Sequence, residues 1–162
     1  AVALIVSISI AAKNTLNEIK LEKVAESKRD QYISLTETYT QYLVSSLTLK
    51  TKASMPDGSA DLDFNNSWNQ HLTRYIELLG CINKVNLIST SEIRLELFQL
   101  EKKLTNYQAS IANYYFNSHP PEPSKDLENS VFAFAKLIRI DLGVENNDEI
   151  ERNLLELRKH KE

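Results

Sequence analysis

The side chains best suited to acid–base chemistry or metal binding are three histidines, His71, His119 and His160. A di-iron helical bundle carries Glu-x-x-His pairs, in which both ligands project from one helical face. No histidine in this chain follows a glutamate by three residues. The spacing gives no reason to expect a metal ion, and we expect no cofactor.

Motifs for phosphate binding and covalent catalysis are also missing from the sequence. The chain has three glycines and one cysteine, so it contains neither a glycine-rich phosphate loop nor a zinc pattern of paired cysteines. A Ser-His-Asp triad forms only in three dimensions and cannot be read from spacing. We therefore expect a protein that is not an enzyme.

The net charge bears on whether the partner is a nucleic acid, and the single cysteine bears on whether the chain has a reactive thiol. The net charge is −3, and nucleic-acid binding depends mainly on neutralising phosphates with basic side chains. We therefore expect no nucleic-acid partner. The single cysteine, Cys81, stands beside Ile82 and is expected to be a buried, inert thiol.

Aromatic side chains form one candidate interaction surface. Tyr107, Tyr114 and Tyr115 fall together near the end of a helical stretch, and tyrosine can pack its ring while its hydroxyl stays in water. They predict either a docking groove or a half-buried seam between helices. Trp68, near the start of another helical stretch, is expected to pack over one end of the core.

An acidic row forms a second candidate surface. Glu18, Glu22 and Glu26 recur every four residues, so they share one face of a helix, where like charges repel weakly. A basic partner would neutralise this row. The alternative is an ordinary solvated face.

The first residues of the chain, AVALIVSISIAA at positions 1–12, are uncharged and almost wholly apolar. A helix that is apolar on every side is normally buried, and a membrane span needs about 20 such residues. We interpret residues 1–12 as the end of a membrane anchor; the alternatives are a signal-peptide core and a short helix covered by partner chains. Basic residues follow at Lys13, Lys20, Lys23, Lys28 and Arg29. Since basic residues beside a span favour its cytoplasmic side, we expect a cytoplasmic soluble domain.

The rest of the chain has the periodicity of long amphipathic helices. Apolar residues recur at steps of three and four in a first helix that ends near Lys52, and in three further stretches. The first carries Tyr32, Leu35, Tyr39, Tyr42, Ser46 and Leu49; the second carries Trp68, Leu72, Tyr75, Leu79 and Ile82. Proline-containing turns at 55–59 and 119–124 separate helices. The sequence predicts an all-α fold, in which a long N-terminal helix continues into an antiparallel four-helix bundle followed by a short fifth helix.

This pattern divides the chain into an anchor at 1–12, a helical stalk at 13–31, a bundle at 32–143 and a C-terminal helix at 144–162. Ser89 and Glu92 have the spacing of a capping box, so the second helix should end near Ile88. Gly143 is expected to close the fourth helix in the left-handed conformation, with Arg139 near the negative end of the helix dipole. Asp141 is expected to form an ion pair there.

The run LIRIDLG at 137–143, near the end of a helical domain that follows an apolar N-terminus, resembles uncharacterised small membrane-anchored proteins of bacteria. The resemblance implies a bacterial or phage-related origin and an anchored helical module. It carries no activity and no catalytic residue.

We therefore expect a membrane-anchored scaffold or interaction protein, which recruits a protein partner or forms a homo-oligomer. A more specific version makes it part of a bacterial stress or phage-defence assembly. The alternative is a bundle that senses a small molecule between its helices, using tyrosines and polar side chains. The candidate polar residues are Asn83, Asn86, Asn106 and Asn113.

Overall fold

A computed structural model describes the backbone of residues 2–53, 60–117, 125–144 and 147–159. Within these ranges the chain is helical apart from short connections. The helices are α1 (Val2–Ala53), α2 (Ala60–Ile88), α3 (Ser91–Asn117), α4 (Lys125–Asp141) and α5 (Asp148–Lys159). The predicted all-α fold is confirmed, and the proline-containing turns lie outside the described residues.

The helices α1 to α4 pack as a bundle around one core. The close helix pairs are α1 with α2, α2 with α3, and α3 with α4. A hydrogen bond from Tyr42 to Gln108 links α1 to α3, and an ion pair between Lys28 and Asp141 links α1 to the end of α4. The predicted seam of α1 faces the core: Tyr32, Leu35, Tyr42, Ser46 and Leu49 are buried, and Tyr39 is partly buried against the same core.

The core-facing side of α2 differs from the prediction. Trp68, Leu72, Tyr75 and Leu79 are only partly buried, whereas a neighbouring stripe is almost fully enclosed. That stripe consists of His71, Leu78 and Val85, together with Ile82, which is buried as predicted. Helix α2 is therefore turned about its axis relative to the predicted orientation. In the observed orientation, the His71 ring lies 5.1 Å from the ring of Tyr42. A polar residue thus occupies the centre of the α1–α2 contact.

The connection between α2 and α3 has only two residues, and its local chemistry corrects the predicted capping box. Helix α2 does end at Ile88, but α3 starts at Ser91, so Ser89 lies too early to cap it. The Ser89 hydroxyl instead donates to the carbonyl oxygen of Val85 across 2.7 Å, which satisfies an acceptor at the end of α2. Thr90 immediately precedes α3, and its carbonyl accepts from the N–H of Arg94.

The end of α4 follows the predicted glycine termination. Gly143 has a φ of +70°, and its N–H donates to the carbonyl of Ile140. The N–H of Val144 donates to the carbonyl of Arg139. These two hydrogen bonds are those of a Schellman motif, in which a left-handed residue satisfies the last carbonyl groups of a helix. Arg139 and Asp141 form ion pairs, but with other helices.

Candidate interaction surface and a buried histidine network

Residues 7–27 of α1 form a helical arm that extends beyond the bundle. Every side chain in this arm is exposed, and Lys28, the next residue, is partly buried. At 1.5 Å per residue the arm is roughly 30 Å long. Its helical state therefore depends little on contacts within the described chain.

The arm continues the face by which α1 contacts the rest of the bundle. Extending the buried seam of α1 toward its N-terminus, in steps of three and four residues, gives an arm stripe of Val24, Leu21, Asn17, Asn14 and Ile10. In the bundle this face is covered by other helices, whereas Leu21 on the arm is 71% exposed. The arm therefore presents a helix-packing face that no described residue covers.

Glu18, Glu22 and Glu26 lie on the arm and are all exposed, as predicted for an acidic row. Glu26 has a basic neighbour, since Arg29 Nη2 lies 3.9 Å from its carboxylate. Both side chains are more than half exposed, so this ion pair contributes little to stability. The row remains accessible to a partner.

The structure also bears on the predicted anchor. In the part of the chain whose structure is described, we find no helix with the length and apolar content needed to cross a membrane.

A polar cluster marks the point where the arm joins the bundle. The Tyr32 hydroxyl donates to Asp141 Oδ2 across 2.7 Å, and Lys28 Nζ lies 3.2 Å from the same oxygen. Burial, followed by the hydrogen bond to Asp141, raises the pKa of Tyr32 to about 12. The cluster joins α1 to the end of α4, since Tyr32 and Lys28 both lie on α1.

An open groove of about 580 Å³ lies beside this cluster. Leu21 and Val24 form its wall on the arm, and Leu142 and Val144 form its wall at the end of α4. The groove extends from the arm stripe to the end of the bundle at which α4 terminates. A helix that packs on the arm would therefore also contact the bundle.

The bundle interior holds a polar network centred on His71. The ring is fully buried; its Nε2 lies 2.8 Å from Gln108 Oε1, and its Nδ1 lies 2.8 Å from the Ser45 hydroxyl. Gln108 Oε1 also accepts a hydrogen bond from Tyr42 across 2.9 Å. The network thus joins α1, α2 and α3.

Burial lowers the pKa of His71, so the ring is neutral near pH 7. Because Nε2 donates its proton to Gln108, Nδ1 is left as an acceptor for the Ser45 hydroxyl. The Ser45 hydroxyl also donates to the carbonyl oxygen of Tyr42 across 2.7 Å, so its single proton is shared between that carbonyl and Nδ1 of His71. A serine beside a histidine has the elements of a nucleophile and base, but burial opposes the imidazolium that base catalysis would form, and among the described side chains the hydrogen-bond partners of the ring are Ser45 and Gln108 rather than a carboxylate. The contacts are those of a core network.

The sequence did contain a signal for this position. His71 lies on the same three- and four-residue spacing as Trp68, Leu78 and Ile82, which predicts a residue facing the core. The metal-ligand and catalytic-base interpretations of His71 do not predict that role. Among the described residues, no group of three or more potential metal ligands is close enough to hold an ion.

The tyrosines proposed as a docking surface are divided between core and rim. Tyr107 is 5% exposed and belongs to the core, so it is not part of a free surface. Tyr114 and Tyr115 are partly buried and pack ring edge to ring face, with centroids 5.3 Å apart. Trp68 covers the adjacent core, because its ring lies 5.7 Å from that of Tyr115 and 5.8 Å from that of His71. This arrangement matches the half-buried seam that was the alternative interpretation.

The features expected of a small-molecule sensor do not converge. Asn83, Asn86, Asn106 and Asn113 are all exposed. The apolar space between the bundle helices, lined by residues including Tyr39, measures about 90 Å³, which is small beside the roughly 300 to 1,000 Å³ of usual ligand pockets. Asn86 lines an open groove of about 330 Å³ between α2 and α3, and a further open groove of about 700 Å³ lies between α4 and α5. Asn83, Asn106 and Asn113 line neither of these grooves.

Comparisons with protein-family models, with characterised proteins and with solved structures find no match.

Proposed function

We propose that this protein is a helical interaction module, whose arm at residues 7–27 binds a helix of a protein partner. The observation that carries the proposal is the uncovered continuation of the α1 seam, in which Leu21 and Val24 are exposed where the same face of the bundle is buried. The bundle serves as the platform that holds and orients this helix.

The physical reason for a partner is the cost of leaving such a helix alone in water. Helices in proteins gain most of their stability from packing an apolar face rather than from intrinsic propensity. Apart from the seam, the arm exposes Ile8, Leu16 and Ile19 on another side. Covering apolar surface stabilises a complex by about 25 cal/mol for each Å² removed from water.

Membrane attachment through residues 1–12 forms a finer part of the proposal. It is supported by the absence of charge in this segment and by the basic residues Lys13, Lys20 and Lys23 that follow it. Flotation of the full chain with anionic lipid vesicles tests it. Recovery of the protein with the vesicles, lost when Ile8 and Ile10 are both replaced by aspartate, is the expected result; a protein that stays in the dense fraction contradicts attachment.

Site-specific photo-cross-linking tests the interaction function. Benzoyl-phenylalanine is incorporated in living cells in place of Leu21 on the arm, or in place of Lys84 as a control on an exposed face of α2. Cross-linked species are then separated by mass. The arm position should give a discrete product that the α2 position does not.

The identity of that product separates the versions of the proposal. A product with another protein or with a second copy of the chain supports the interaction function. With benzoyl-phenylalanine placed at position 8 or 10 in further variants, lipid adducts confined to those positions support membrane attachment. Equal, diffuse labelling from positions 21 and 84 contradicts the proposal, because the arm would then have no preferred partner.

A further inference from the structure

A gap in the packing lies where the four bundle helices meet. It is the apolar space of about 90 Å³, and each of α1, α2, α3 and α4 contributes side chains to its wall. Protein interiors are close-packed, and a domain contains few voids larger than a water molecule. The gap exceeds the volume of one water several-fold, so it has room for a small ligand.

The inner wall of the gap consists of hydrocarbon side chains from all four helices. Leu35, Ile82, Leu104 and Phe134 line it, one from each helix in chain order, and each is at most 5% exposed. Side chains that border a void lack partner atoms on one side, so they lose the attraction that a filled space would supply. An apolar ligand in the gap would restore those contacts.

The outer wall of the gap belongs to α1 and α4. Tyr39, Val131, Ala135 and Ile138 are partly buried, and Thr36 is exposed. In the described part of the chain, α1 and α4 are not among the closely packed helix pairs. A small molecule can therefore enter between these two helices without separating a tightly packed pair.

The gap offers little to a charged or polar ligand. The described residues that line it include no lysine, arginine, aspartate or glutamate. The two residues that carry hydroxyl groups, Thr36 and Tyr39, belong to the outer wall, and the Thr36 hydroxyl donates to the carbonyl oxygen of Tyr32 within α1. A water molecule in a cavity needs two to four polar partners, and apolar cavities stay dry. The inner part of the gap therefore favours an uncharged hydrocarbon over water.

The volume of the gap limits the size of the ligand. At about 90 Å³ it is too small for a typical metabolite, whose pocket measures roughly 300 to 1,000 Å³. An engineered cavity of about 150 Å³ in another protein, lined by Leu, Ile and Phe, binds benzene or xenon. The gap has the same kind of lining and a smaller volume, which points to a ligand smaller than benzene.

We propose that the gap is a binding site for a small, uncharged hydrocarbon, which enters between α1 and α4 and packs against the inner wall. This site lies in the bundle and not on the arm, so the inference goes beyond the proposed interaction function and does not depend on it. A ligand that binds only the folded bundle also raises its apparent stability.

Methyl NMR spectra of the full chain, recorded under increasing pressures of xenon or propane, test the site. Both probes should shift the methyl signals of Leu35, Ile82 and Leu104 in a saturable manner and leave that of Leu87, which is 85% exposed, unchanged. Dimethyl ether has nearly the shape of propane but carries a polar oxygen, so it should bind at least tenfold more weakly. The melting temperature should rise with the propane concentration.

Substitutions that change the volume of the gap provide the matched test. Ala135→Val fills part of the gap and should weaken propane binding at least tenfold, whereas Ala109→Val makes the same change at an exposed site of α3 and should leave binding unchanged. Val131→Ala enlarges the gap and should let benzene bind more tightly than it binds the wild type. Circular dichroism confirms that each variant folds.

Three results would overturn the proposal. The first is the absence of saturable shifts at the lining methyl groups of the wild type. The second is equal binding of propane and dimethyl ether, which would mean that the site does not select hydrocarbon. The third is equal propane binding by Ala135→Val and Ala109→Val, which would place the bound molecule outside the gap.

Discussion

His71 donates its Nε2–H to the side-chain oxygen of Gln108 across 2.8 Å in the interior of the bundle. The same oxygen accepts the hydroxyl proton of Tyr42, so a single amide group satisfies donors from two other helices. Buried polar groups that are fully hydrogen-bonded favour one packing arrangement over its alternatives. The network therefore fixes the register of α1, α2 and α3, which apolar contacts alone would fix less strictly.

Stability should fall in mild acid because of His71. Burial depresses its folded-state pKa below the ordinary value of about 6.5, so the unfolded chain binds a proton more readily. The stabilising contribution is fully present above about pH 6.5 and is lost as the pH falls toward the folded-state pKa. Each pH unit in this window should remove at most about 1.4 kcal/mol from the free energy of unfolding. Urea titrations at several pH values measure it.

The control for this pH dependence is His71→Gln, which keeps a hydrogen-bonding side chain but cannot titrate. Its unfolding free energy should vary less with pH between 5 and 7 than that of the wild type. Parallel pH profiles for the two proteins would show that His71 is not the titrating group.

Gln108→Leu should destabilise the bundle more than the change in side-chain volume alone would. The substitution leaves the His71 N–H and the Tyr42 O–H buried without their acceptor, at a cost of about 2 to 5 kcal/mol for the two groups. Gln70→Leu, on an exposed part of α2, should change stability by less than about 0.5 kcal/mol. Chemical denaturation of both variants measures the difference. Equal effects would mean that Gln108 makes no net contribution as an acceptor.

Asp141→Asn should weaken the junction between the arm and the bundle. The carboxylate accepts from Tyr32 and pairs with Lys28, and hydrogen bonds to charged groups each contribute about 1.5 to 3 kcal/mol before solvent screening. We expect a loss of about 1 to 2 kcal/mol, because the cluster is partly open to solvent. The Tyr32 pKa, followed by ultraviolet absorbance, should fall below its wild-type value of about 12. Asp30→Asn, at an exposed site, should alter neither quantity.

The seam of α1 and the division into helices were predictable from sequence, because both follow from apolar residues recurring at helical spacing. The face of α2 was not, because its partly buried Leu72 and Tyr75 are more hydrophobic than the buried His71. Spacing within the helix places His71 among the core positions but does not identify its hydrogen-bonding partner, Gln108, which lies 37 residues away. The same limit applies to Asp141, whose partners lie on α1 rather than beside it in sequence.

Substituting two glycines by alanine should have opposite effects. Gly143 has a φ of +70°, which alanine adopts with a penalty of roughly 1 kcal/mol, and the added methyl group would meet nothing within 4 Å. Gly143→Ala should therefore destabilise by conformational strain alone. Gly80 lies within α2 with equally open space, so Gly80→Ala should stabilise by about 0.5 to 1 kcal/mol. Melting temperatures that move in the same direction would contradict the left-handed termination of α4.

Amide hydrogen exchange should separate the arm from the bundle. Protection reflects the free energy of local opening, which is small where a helix makes few tertiary contacts. In dilute solution, amides of residues 7–27 should therefore exchange much faster than those around Tyr42 and Leu49, which lie in the core. An arm that is as protected as the core in dilute solution would show that contacts within a single chain already hold it, and that no partner is required to stabilise it.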